Sequence, residues 1–344
     1  MQLKNAIENA DNLIKSIIDT ISIVIVAHVL NPRGYTCAKQ INCSELEQFT
    51  VQEFNEIYQG LVKAGFFVEK VFFSEIEFIQ DVLKEPDKYS STVVFNLCRN
   101  GIGMNKKTAI PSVCDLLGIL YTSSGAGQCA IARNKMLFTT ILDANNIRVP
   151  ISSLWIDEIS TRLPNTAMVI CKPNNESASQ GIDDESIGPL YKIKNRKDIL
   201  VQEFIDGYEC EVPVFCSNNQ CFAMPPIGLC FNNNANTGVL SCEDSKTNKY
   251  GFYSASDIIP RNICEQMMND AEKAFILLEL ERYGRIDFRI DKNSYRHYVI
   301  DISTTPYITQ HSSFAFSVKQ NGSKYSDIFK LILGATLEKK FNLQ

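Results

Sequence analysis

Four short segments of the chain carry residues whose types and spacing suit one kind of chemistry. Lys135 begins a segment with helical spacing in "RNKMLFTTIL", and Lys172 ends an apolar strand in "MVICKPNNESASQG". A loop of small and polar residues follows Lys172 at once, and such a loop can offer backbone N–H groups to phosphate oxygens. In "ILVQEFIDGYECEV", acidic residues follow an apolar run. Two lysines beside such a loop predict a site that holds a polyphosphate.

The fourth segment, "GRIDFRI…HYVIDISTTP", places Arg285, Asp287 and Asp301 on two neighbouring strands. Arg285 and Asp287 are two positions apart, so both side chains point to one face. Paired carboxylates suit Mg²⁺, which prefers oxygen ligands together with substrate phosphates, and an arginine stabilises charge that develops during group transfer. Each segment alone is also typical of an ordinary strand end, loop or surface pair. In this order, the four together predict ATP-driven ligation with ATP and Mg²⁺.

The loop "RNGIGMNKKT" at 99–108 offers another place for phosphate, but its spacing disfavours a P-loop. A P-loop requires Gly, four residues and then Gly-Lys-Ser/Thr. Here Asn105 and Lys106 precede the two lysines, and Gly101 and Gly103 are only two positions apart. Two alternatives stay open: an ordinary strand-to-helix connection, or a loop that serves a nucleotide site formed elsewhere.

Composition limits the class of protein. The chain has 344 residues, 45% of them hydrophobic and 21% charged, which predicts two or three globular domains. The net charge of −5 gives no general basic field for nucleic acid. The apolar run at 21–27 is too short to cross a bilayer, and the first residues lack a signal-peptide pattern. Twelve scattered cysteines without a C-x-x-C pair, and three distant histidines, indicate reduced thiols and no zinc site. We therefore expect a cytoplasmic protein with no membrane or nucleic-acid partner.

The apolar periodicity predicts the elements that must position these residues. Before residue 121, helical patterns at 1–20, 44–64 and 75–84 alternate with strand patterns at 21–28, 66–73 and 92–97. This alternation predicts a parallel sheet with helices on its faces. Farther on, "AMVICKP", "ILVQEF", "ECEVPVF" and "QCFAMPP" predict a more antiparallel sheet, and 228–257 a long loop. Helices are predicted at 262–280 and 323–337, on either side of the two strands with Arg285 and Asp301.

The motifs resemble those of the D-alanine–D-alanine ligase branch of the ATP-grasp superfamily. "LLGILYTSSG" is similar to its Leu-Leu-Gly-Ile-Pro-Tyr-Thr-Gly-Ser-Gly stretch, and "CKPNNESASQG" to Lys-Pro-x-x-Glu-Gly-Ser-Ser-x-Gly. "GRIDFRI" and "DISTTPYITQHSS" resemble Gly-Arg-x-Asp-Phe and Glu-x-Asn-Thr-x-Pro-Gly-x-Thr-x-His-Ser. The resemblance covers about residues 90–340. It implies an α/β chain with the ATP-grasp fold, in which a parallel α/β domain precedes two α+β subdomains that clamp ATP. The implied ranges are an N-terminal helix at 1–20, the α/β domain at 21–121, a central subdomain at 122–207 and a C-terminal subdomain with the metal site at 208–344.

The resemblance also implies roles for individual residues. The implied ATP-binding residues are Lys135, Lys172, Glu176, Ser177, Ala178, Ser179, Gln202, Glu203, Phe204, Ile205 and Glu209. Asp287 and Asp301 would bind Mg²⁺, with Ser303 in the place of an asparagine ligand. The implied catalytic residues are Arg285, Lys246 and Ser179, and the implied substrate contacts are Arg99, Tyr307 and Ser312. In the family reaction a carboxylate is phosphorylated by ATP, and an amine then displaces phosphate to form an amide. We expect amino-acid-like carboxylate and amine substrates, and a homodimer by family analogy.

Departures from the family pattern alter the expected substrates. Asp301 and Ser303 stand where the family has Glu and Asn, and Tyr307 stands where it has Gly. "HVLNPRGYTCAKQ" replaces the first-substrate motif Gly-Gly-x-Ser-x-Glu-His-Glu. We therefore expect a ligase whose substrates are not D-alanine. Two alternatives stay open: a nucleotide-binding homologue that has lost ligation and acts as a regulator or partner subunit, and an enzyme with the same ATP chemistry but another kind of acceptor.

The loop at 99–108 lies where the family is acidic, but here it is basic. It offers Arg99, Lys106 and Lys107. We expect it to face an anionic group of the substrate or the phosphates of ATP, and a solvated loop without a function is the alternative.

Overall fold

The first sheet lies near the start of the chain in this computed structural model, which describes residues 2–32, 45–155, 163–192, 199–218, 220–231 and 235–342. Its strands are β1 (Ser22–Ala27), β2 (Val68–Phe72), β3 (Thr92–Leu97) and β4 (Leu120–Tyr121), in the spatial order β2-β1-β3-β4. All of them run parallel. The helices in this part are α1 (Gln2–Ile17), α2 (Val51–Lys63), α3 (Glu75–Lys84) and α4 (Ala109–Leu117). The predicted alternation of strand and helix around a parallel sheet is confirmed.

The start of α2 is fixed by a capping box. Glu53 N–H donates to Thr50 Oγ1 at 3.2 Å, and Thr50 N–H donates to Glu53 Oε2 at 2.8 Å. This reciprocal pair satisfies two backbone groups that a helix start would otherwise leave open. The helix therefore begins at Val51, later than the predicted residue 44. The residues before it, Glu45–Glu47, form a short 3-10 turn, and Glu45 and Glu47 line the cleft described below.

A break at Asn134 divides the next helical segment into α5 (Ala126–Arg133) and α6 (Lys135–Ala144). The Asn134 side chain accepts the N–H of Leu137 at 3.0 Å, as an N-cap residue does. The cap confirms that Lys135 is the first residue of a helix. It also places Arg133 and Lys135 on either side of the break, both facing the same cleft.

Two antiparallel sheets follow, where the sequence predicted one. The small sheet contains β5 (Ser152–Trp155), β6 (Val169–Pro173), β7 (Ile187–Gly188) and β8 (Ile199–Glu203), in the order β5-β8-β6-β7. The large sheet contains β9 (Gly207–Ser217), β10 (Gln220–Ala223), β11 (Ile227–Cys230), β12 (Gly251–Ser254), β13 (Tyr283–Asp291) and β14 (His297–Ser303). Its order is β12-β11-β9-β13-β14, with β10 also paired to β9. The three residues between β8 and β9 carry the chain from one sheet to the other.

The prediction of a long loop at 228–257 is wrong. This range contains most of β11, a helix α7 (Cys242–Thr247) and β12, and the two strands pair with each other. Strands of four residues are too short to show alternation in the sequence. The short helix brings Ser245 and Lys246 to the cleft.

The remaining helices are α8 (Arg261–Leu277), α9 (Ser313–Gln320) and α10 (Tyr325–Asn342). α9 and α10 join the first and the large sheet into one core, whereas α8 packs against the large sheet. α1 packs against α10 so closely that a Cβ at Gly334 would lie 2.7 Å from Ala10 Cβ. Apolar residues of β1, β3, α10 and β9 form one continuous cluster, which fixes two walls of the cleft. None of the helices within the described ranges has both the length and the apolar character needed to cross a bilayer.

Candidate active site

The candidate site is a cleft with a cavity volume of about 350 Å³. Its walls come from the small sheet, the large sheet and the connections that leave β1 and β3. The hinge between the two antiparallel sheets, 202–205, lines one end. Arg99 and Tyr307 line the other part. All the site residues predicted from the sequence except Ser312 and Lys106 line this cleft.

Three carboxylates lie side by side on neighbouring strands of the large sheet. Glu211 on β9 is opposite Asp287 on β13, and Asp287 is opposite Asp301 on β14. Their side chains all face the cleft. Arg285, two positions before Asp287, donates to both oxygens of that carboxylate at 2.7 and 2.8 Å and lies 3.0 Å from Glu211 Oε1. We call Glu211, Asp287 and Asp301 the carboxylate row.

The carboxylate row is electrostatically crowded. Burial and the nearby charge of Glu211 raise the pKa of Asp287 to about 7, against the lowering effect of the Arg285 guanidinium. Burial also raises the pKa of Glu211, against the lowering effect of Arg285. Crowded acids of this kind favour a cation.

The donor set of the row fits Mg²⁺. Its carboxylate oxygens, with the Ser303 hydroxyl beside Arg285, are the hard ligands that this ion prefers. Both oxygens of Asp287 are bonded to Arg285 in this conformation, so the ion would enter as Arg285 gives up at least one of them. Sequence reasoning missed Glu211, although its two-residue spacing from Glu209 places both on one face of β9.

Two buried lysines lie next to the row. Lys135 Nζ is 3.3 Å from Asp301 Oδ1 and donates to the Glu176 carbonyl oxygen at 2.5 Å. Lys172 Nζ donates to the Ile300 carbonyl oxygen at 3.3 Å. Burial and the nearby charge of Lys135 lower the pKa of Lys172 to about 8. Although burial acts to raise it, the pKa of Asp301 is lowered because the two ammonium groups stabilise its charged form.

The loop after Lys172 has a constrained backbone. Ala178 and Ser179 have φ angles of 54° and 53°, in the left-handed region that non-glycine residues seldom occupy. Consecutive residues of this kind persist only where the surroundings hold them, and such places are often ligand sites. The side chains and backbone of 176–180 line the cleft across from the carboxylate row.

The hinge is held from the large sheet by Arg289, a residue the sequence reasoning did not single out. Its guanidinium donates twice to the Ile205 carbonyl oxygen, at 2.9 and 3.2 Å, and once to Glu209 at 3.3 Å. It also lies 5.5 Å from the Phe204 ring centroid. The Gln202 side chain instead donates to Ser152 Oγ at 2.9 Å. Only the backbone of Gln202 is therefore directed to a ligand in this conformation.

A second group of charges lies on the other side of the row from the hinge. It consists of Arg99, Lys107, Arg133 and Glu47, and we call it the basic group. Arg133 forms an ion pair with Glu47, whose carboxylate also accepts hydrogen bonds from Ser177 and Gln180 of the loop after Lys172. Burial would raise the pKa of Glu47, but Arg133 and Lys107 lower it to about 2. No sequence signal pointed to Glu47 or Arg133.

Two predicted contacts are placed elsewhere. Ser312 caps α9, where its hydroxyl donates to the Thr309 carbonyl oxygen at 2.6 Å and accepts Ala315 N–H at 3.2 Å. Because that hydroxyl is already used at a helix start, this geometry does not support Ser312 as a substrate contact. Lys106 turns away from the cleft and pairs with Glu176. Most of "HVLNPRGYTCAKQ" lies outside the described residues.

A separate buried cluster of His28, Glu75 and Cys98 does not fit a metal ion. The ligand atoms lie within 4.8 Å of one another. His28 Nδ1 accepts the Arg99 N–H at 3.2 Å, so the ring proton is on Nε2, which is 3.6 Å from Glu75 Oε2. A metal would need the lone pair that this proton occupies.

Comparison with known proteins agrees with this geometry. The family model described as D-ala D-ala ligase C-terminus matches residues 160–334. The D-alanine–D-alanine ligase of Zymomonas mobilis is 31% identical over 258 residues, which cover 71% of this chain and 77% of that protein. The ligase of the same name from Carboxydothermus hydrogenoformans is 25% identical over 309 residues, 82% of this chain and 91% of that one.

A solved structure shows the fold. The D-alanine–D-alanine ligase from Bacillus anthracis complexed with ATP matches with a TM-score of 0.68 at 15% identity, over 94% of this chain and 100% of that chain. The predicted ATP-grasp fold and the predicted family are therefore confirmed. The chain belongs to the D-alanine–D-alanine ligase family, whose members are ATP-dependent enzymes that form C–N bonds.

Proposed function

We propose that this protein is an ATP-dependent carboxylate–amine ligase of the dipeptide type, that it acts through an acyl phosphate, and that its substrates are not D-alanine. The observation that carries the proposal is the carboxylate row facing Lys135 and Lys172 across one cleft. Acids that hold a divalent cation, beside buried lysines, are what the transfer of a phosphoryl group from ATP requires.

The proposed reaction has two steps. An oxygen of the substrate carboxylate attacks the γ-phosphorus of ATP, the bond to the bridging oxygen breaks, and ADP leaves. The amine nitrogen then attacks the acyl carbon, the C–O bond to phosphate breaks, and the amine gives up a proton. Phosphate leaves and the amide remains.

Each step uses groups that line the cleft. Lys135 and Lys172 would bind the phosphate oxygens, while the loop 176–181 closes over them. Glu211, Asp287, Asp301 and Ser303 would hold Mg²⁺, which neutralises phosphate charge when bound. Arg285 is placed to stabilise the negative oxygen of the tetrahedral intermediate. The backbone of 202–205 would hold adenine, Glu209 would meet the ribose, and Lys246 would approach from α7.

The change of substrate is supported by Tyr307. Its ring lies 4.1 Å from the Arg99 guanidinium and 5.3 Å from the Phe49 centroid. Together the Tyr307 ring, the Phe49 ring and the Arg99 guanidinium fill space where a glycine would let the backbone approach a ligand. A site filled in this way has a different shape from one made for D-alanine.

Release of ADP from Mg²⁺-ATP tests the proposal when single amino acids and pairs of amino acids are supplied. We expect turnover with at least one pair, and an amide product by mass spectrometry. Lys172→Met and Asp287→Asn should abolish it, while Lys273→Met, on the exposed side of α8, should leave it unchanged. Turnover unaffected by the first two changes would contradict the proposal.

A nucleotide-binding protein without ligase activity is the second candidate. It is favoured by one observation: both oxygens of Asp287 accept hydrogen bonds from Arg285, so the guanidinium competes with a metal ion for this carboxylate in this conformation. Calorimetry separates the two candidates. Tight binding of Mg²⁺-ATP without turnover across a broad panel of acids and amines would favour this second function.

Three expectations from the sequence accompany the proposal. They are the homodimer, the cytoplasmic location and the division into a helix at 1–20 and domains at 21–121, 122–207 and 208–344. Chromatography with light scattering tests the first, and limited proteolysis near residues 121 and 207 tests the last.

A further inference from the structure

The buried charges of the basic group do not balance. Arg99, Lys107 and Arg133 are 4%, 7% and 5% exposed, and the carboxylate among them, Glu47, is 1% exposed. All four line the cleft. Buried cations are normally paired, because removing an unpaired charge from water costs several kcal/mol or more. The group therefore holds more positive charge than its own carboxylate neutralises.

The partners of each cation show where the excess lies. Arg133 takes Glu47 as its ion-pair partner. Arg99 donates to two backbone carbonyl oxygens, of Glu47 at 3.4 Å and of Thr305 at 3.2 Å, and its guanidinium lies over the rings of Phe49 and Tyr307, which contact each other edge to face. For Lys107, no carboxylate in the described part of the chain lies within 4.0 Å of Nζ.

Acids at the rim do not restore the balance. Glu53 lines the cleft, but its carboxylate accepts hydrogen bonds from Thr50 and forms no ion pair with the three cations of the basic group. Glu45 also lines the cleft and is exposed to water, which screens its charge. Burial, together with Arg133 and Arg99, lowers the pKa of Lys107 to about 7, which is the response expected of an ammonium group that lacks an anion.

The position of the basic group relates it to the substrate and not to adenine. Along β13, Arg289 is next to the hinge, Asp287 belongs to the carboxylate row, and Arg285 lies beyond it. Opposite Arg285 is Ser303, after which the chain continues to Thr305 and its bond with Arg99. The basic group thus lies past the row, on the side away from the hinge.

We propose that the carboxylate substrate of this enzyme carries a second anionic group, a carboxylate or a phosphate monoester, which binds to Lys107, Arg133 and Arg99. This inference rests on the ligase function proposed above. Arginine forks and an ammonium group are the side chains that bind such anions. The first carboxylate of the substrate is then left at the row, where it is phosphorylated.

Matched acids and amides test the inference. With Mg²⁺-ATP and a common set of amines, ADP release is measured for both enantiomers of aspartate and glutamate, for O-phosphoserine, for asparagine and glutamine, and for D-alanine. We expect the best diacid or phosphate to exceed its neutral counterpart at least about tenfold in kcat/KM, the value of one charged hydrogen bond. Comparison of glutamate with O-phosphoserine distinguishes a carboxylate from a phosphate.

Three variants connect the preference to Lys107. Lys107→Met should remove the preference while KM for ATP stays within about twofold, and Lys107→Arg, which keeps the charge, should retain it. Lys63→Met, on the exposed end of α2, is the control. Thermal unfolding of each variant shows whether it is folded, and the arginine variant decides the question if the methionine variant is not.

The two proposals fail in different ways. ADP release with D-alanine or the amides that exceeds the diacids, and that Lys107→Met leaves unchanged, would overturn the second anionic group and keep the ligase reaction. If D-alanine is the preferred acid, the proposed change of substrate is overturned as well. Absence of ADP release with every acid would overturn the ligase. Calorimetry of glutamate and O-phosphoserine with the ADP-Mg²⁺ complex then decides the inference: binding lost in Lys107→Met supports it, and no binding overturns it.

Discussion

The two ends of the cleft differ in how their charges are arranged. Along strands β9, β13 and β14, with the two lysines beside them, four cations share the space with four acids. They are Lys135, Lys172, Arg285 and Arg289, with Glu209, Glu211, Asp287 and Asp301. In the basic group, three cations surround one acid. The first arrangement has equal numbers of cationic and acidic side chains, whereas the second has more cations than acids, an excess that a bound anion can neutralise.

This difference separates chemistry from selectivity. The balanced end, formed by these four cations and four acids, contains the motifs that resemble the family, and we expect exchange of its residues to lower the rate strongly. The basic group is assembled from parts of the chain that have no counterpart in those motifs. Variants at the two ends should therefore alter different kinetic quantities, and the following experiments test that separation in order of decreasing effect.

The largest effect is expected for Arg285→Met. Loss of the guanidinium removes the charge that we propose stabilises the tetrahedral oxygen, and kcat should fall by about 10³. Arg285→Lys keeps the charge but loses the two parallel bonds to Asp287, so its kcat should lie between those of the wild type and the methionine variant. Steady-state ADP release measures both. Equal kcat in all three proteins would show that the balanced end does not carry the chemistry.

Glu211→Gln should affect the metal more than the nucleotide. The substitution replaces one carboxylate of the row with an amide, which is a weaker ligand for Mg²⁺. The Mg²⁺ concentration for half-maximal rate should therefore rise about tenfold. The measurement is a titration of Mg²⁺ at fixed ATP. Glu265→Gln, on the exposed face of α8, is the matched control. A variant with an unchanged Mg²⁺ requirement would remove Glu211 from the metal site.

Glu47→Gln should reduce stability in a way that depends on pH. The folded-state pKa of Glu47 is lowered from 4.5 to about 2, so its contribution is fully present above about pH 4.5 and is lost as pH falls toward 2. At pH 7 the variant should lose about 3 kcal/mol of stability. The difference in Tm between wild type and variant should narrow at pH 3. A difference in Tm that is the same at pH 7 and pH 3 would show that the ionised carboxylate of Glu47 is not its cause.

The smallest effect is expected for Lys106→Met. Lys106 is next to Lys107 in sequence, but it pairs with Glu176 and does not line the cleft. Because Glu176 is part-exposed and can be solvated, the ratio of kcat/KM for a diacid to that for its amide should change by no more than about twofold. The same kinetic measurements on Lys107→Met provide the comparison between the two lysines. An equal loss of preference in both variants would extend the basic group to Lys106.

The sequence predicted the balanced end better than the basic group, for a physical reason. Lys135 is recognisable from the Asn134 cap before it, and Arg285 with Asp287 from alternation on one strand, because these are local patterns. Glu211 obeys the same alternation and was within reach of the same reasoning.

The basic group arises from contacts between distant segments. Glu47 and Arg133 are 86 positions apart and meet only when a turn before α2 packs against the break between α5 and α6. No periodicity encodes that contact. The same limitation explains why β11 and β12 were missed, since four-residue strands are recognised only by the partners that they bond to.

The packing of α1 against α10 has a consequence for synthesis of the protein. Leu3, Ala6, Ala10 and Ile14 form the buried face of α1, and α10 begins about 300 residues later in the chain. At translation rates of about 5–20 residues per second, the apolar face of α1 remains without α10 for roughly 15–60 s. The parallel sheet cannot complete its outer cover until the ribosome has almost finished α10. A molecular chaperone that shields the nascent α1 during this interval should therefore raise the yield of folded protein.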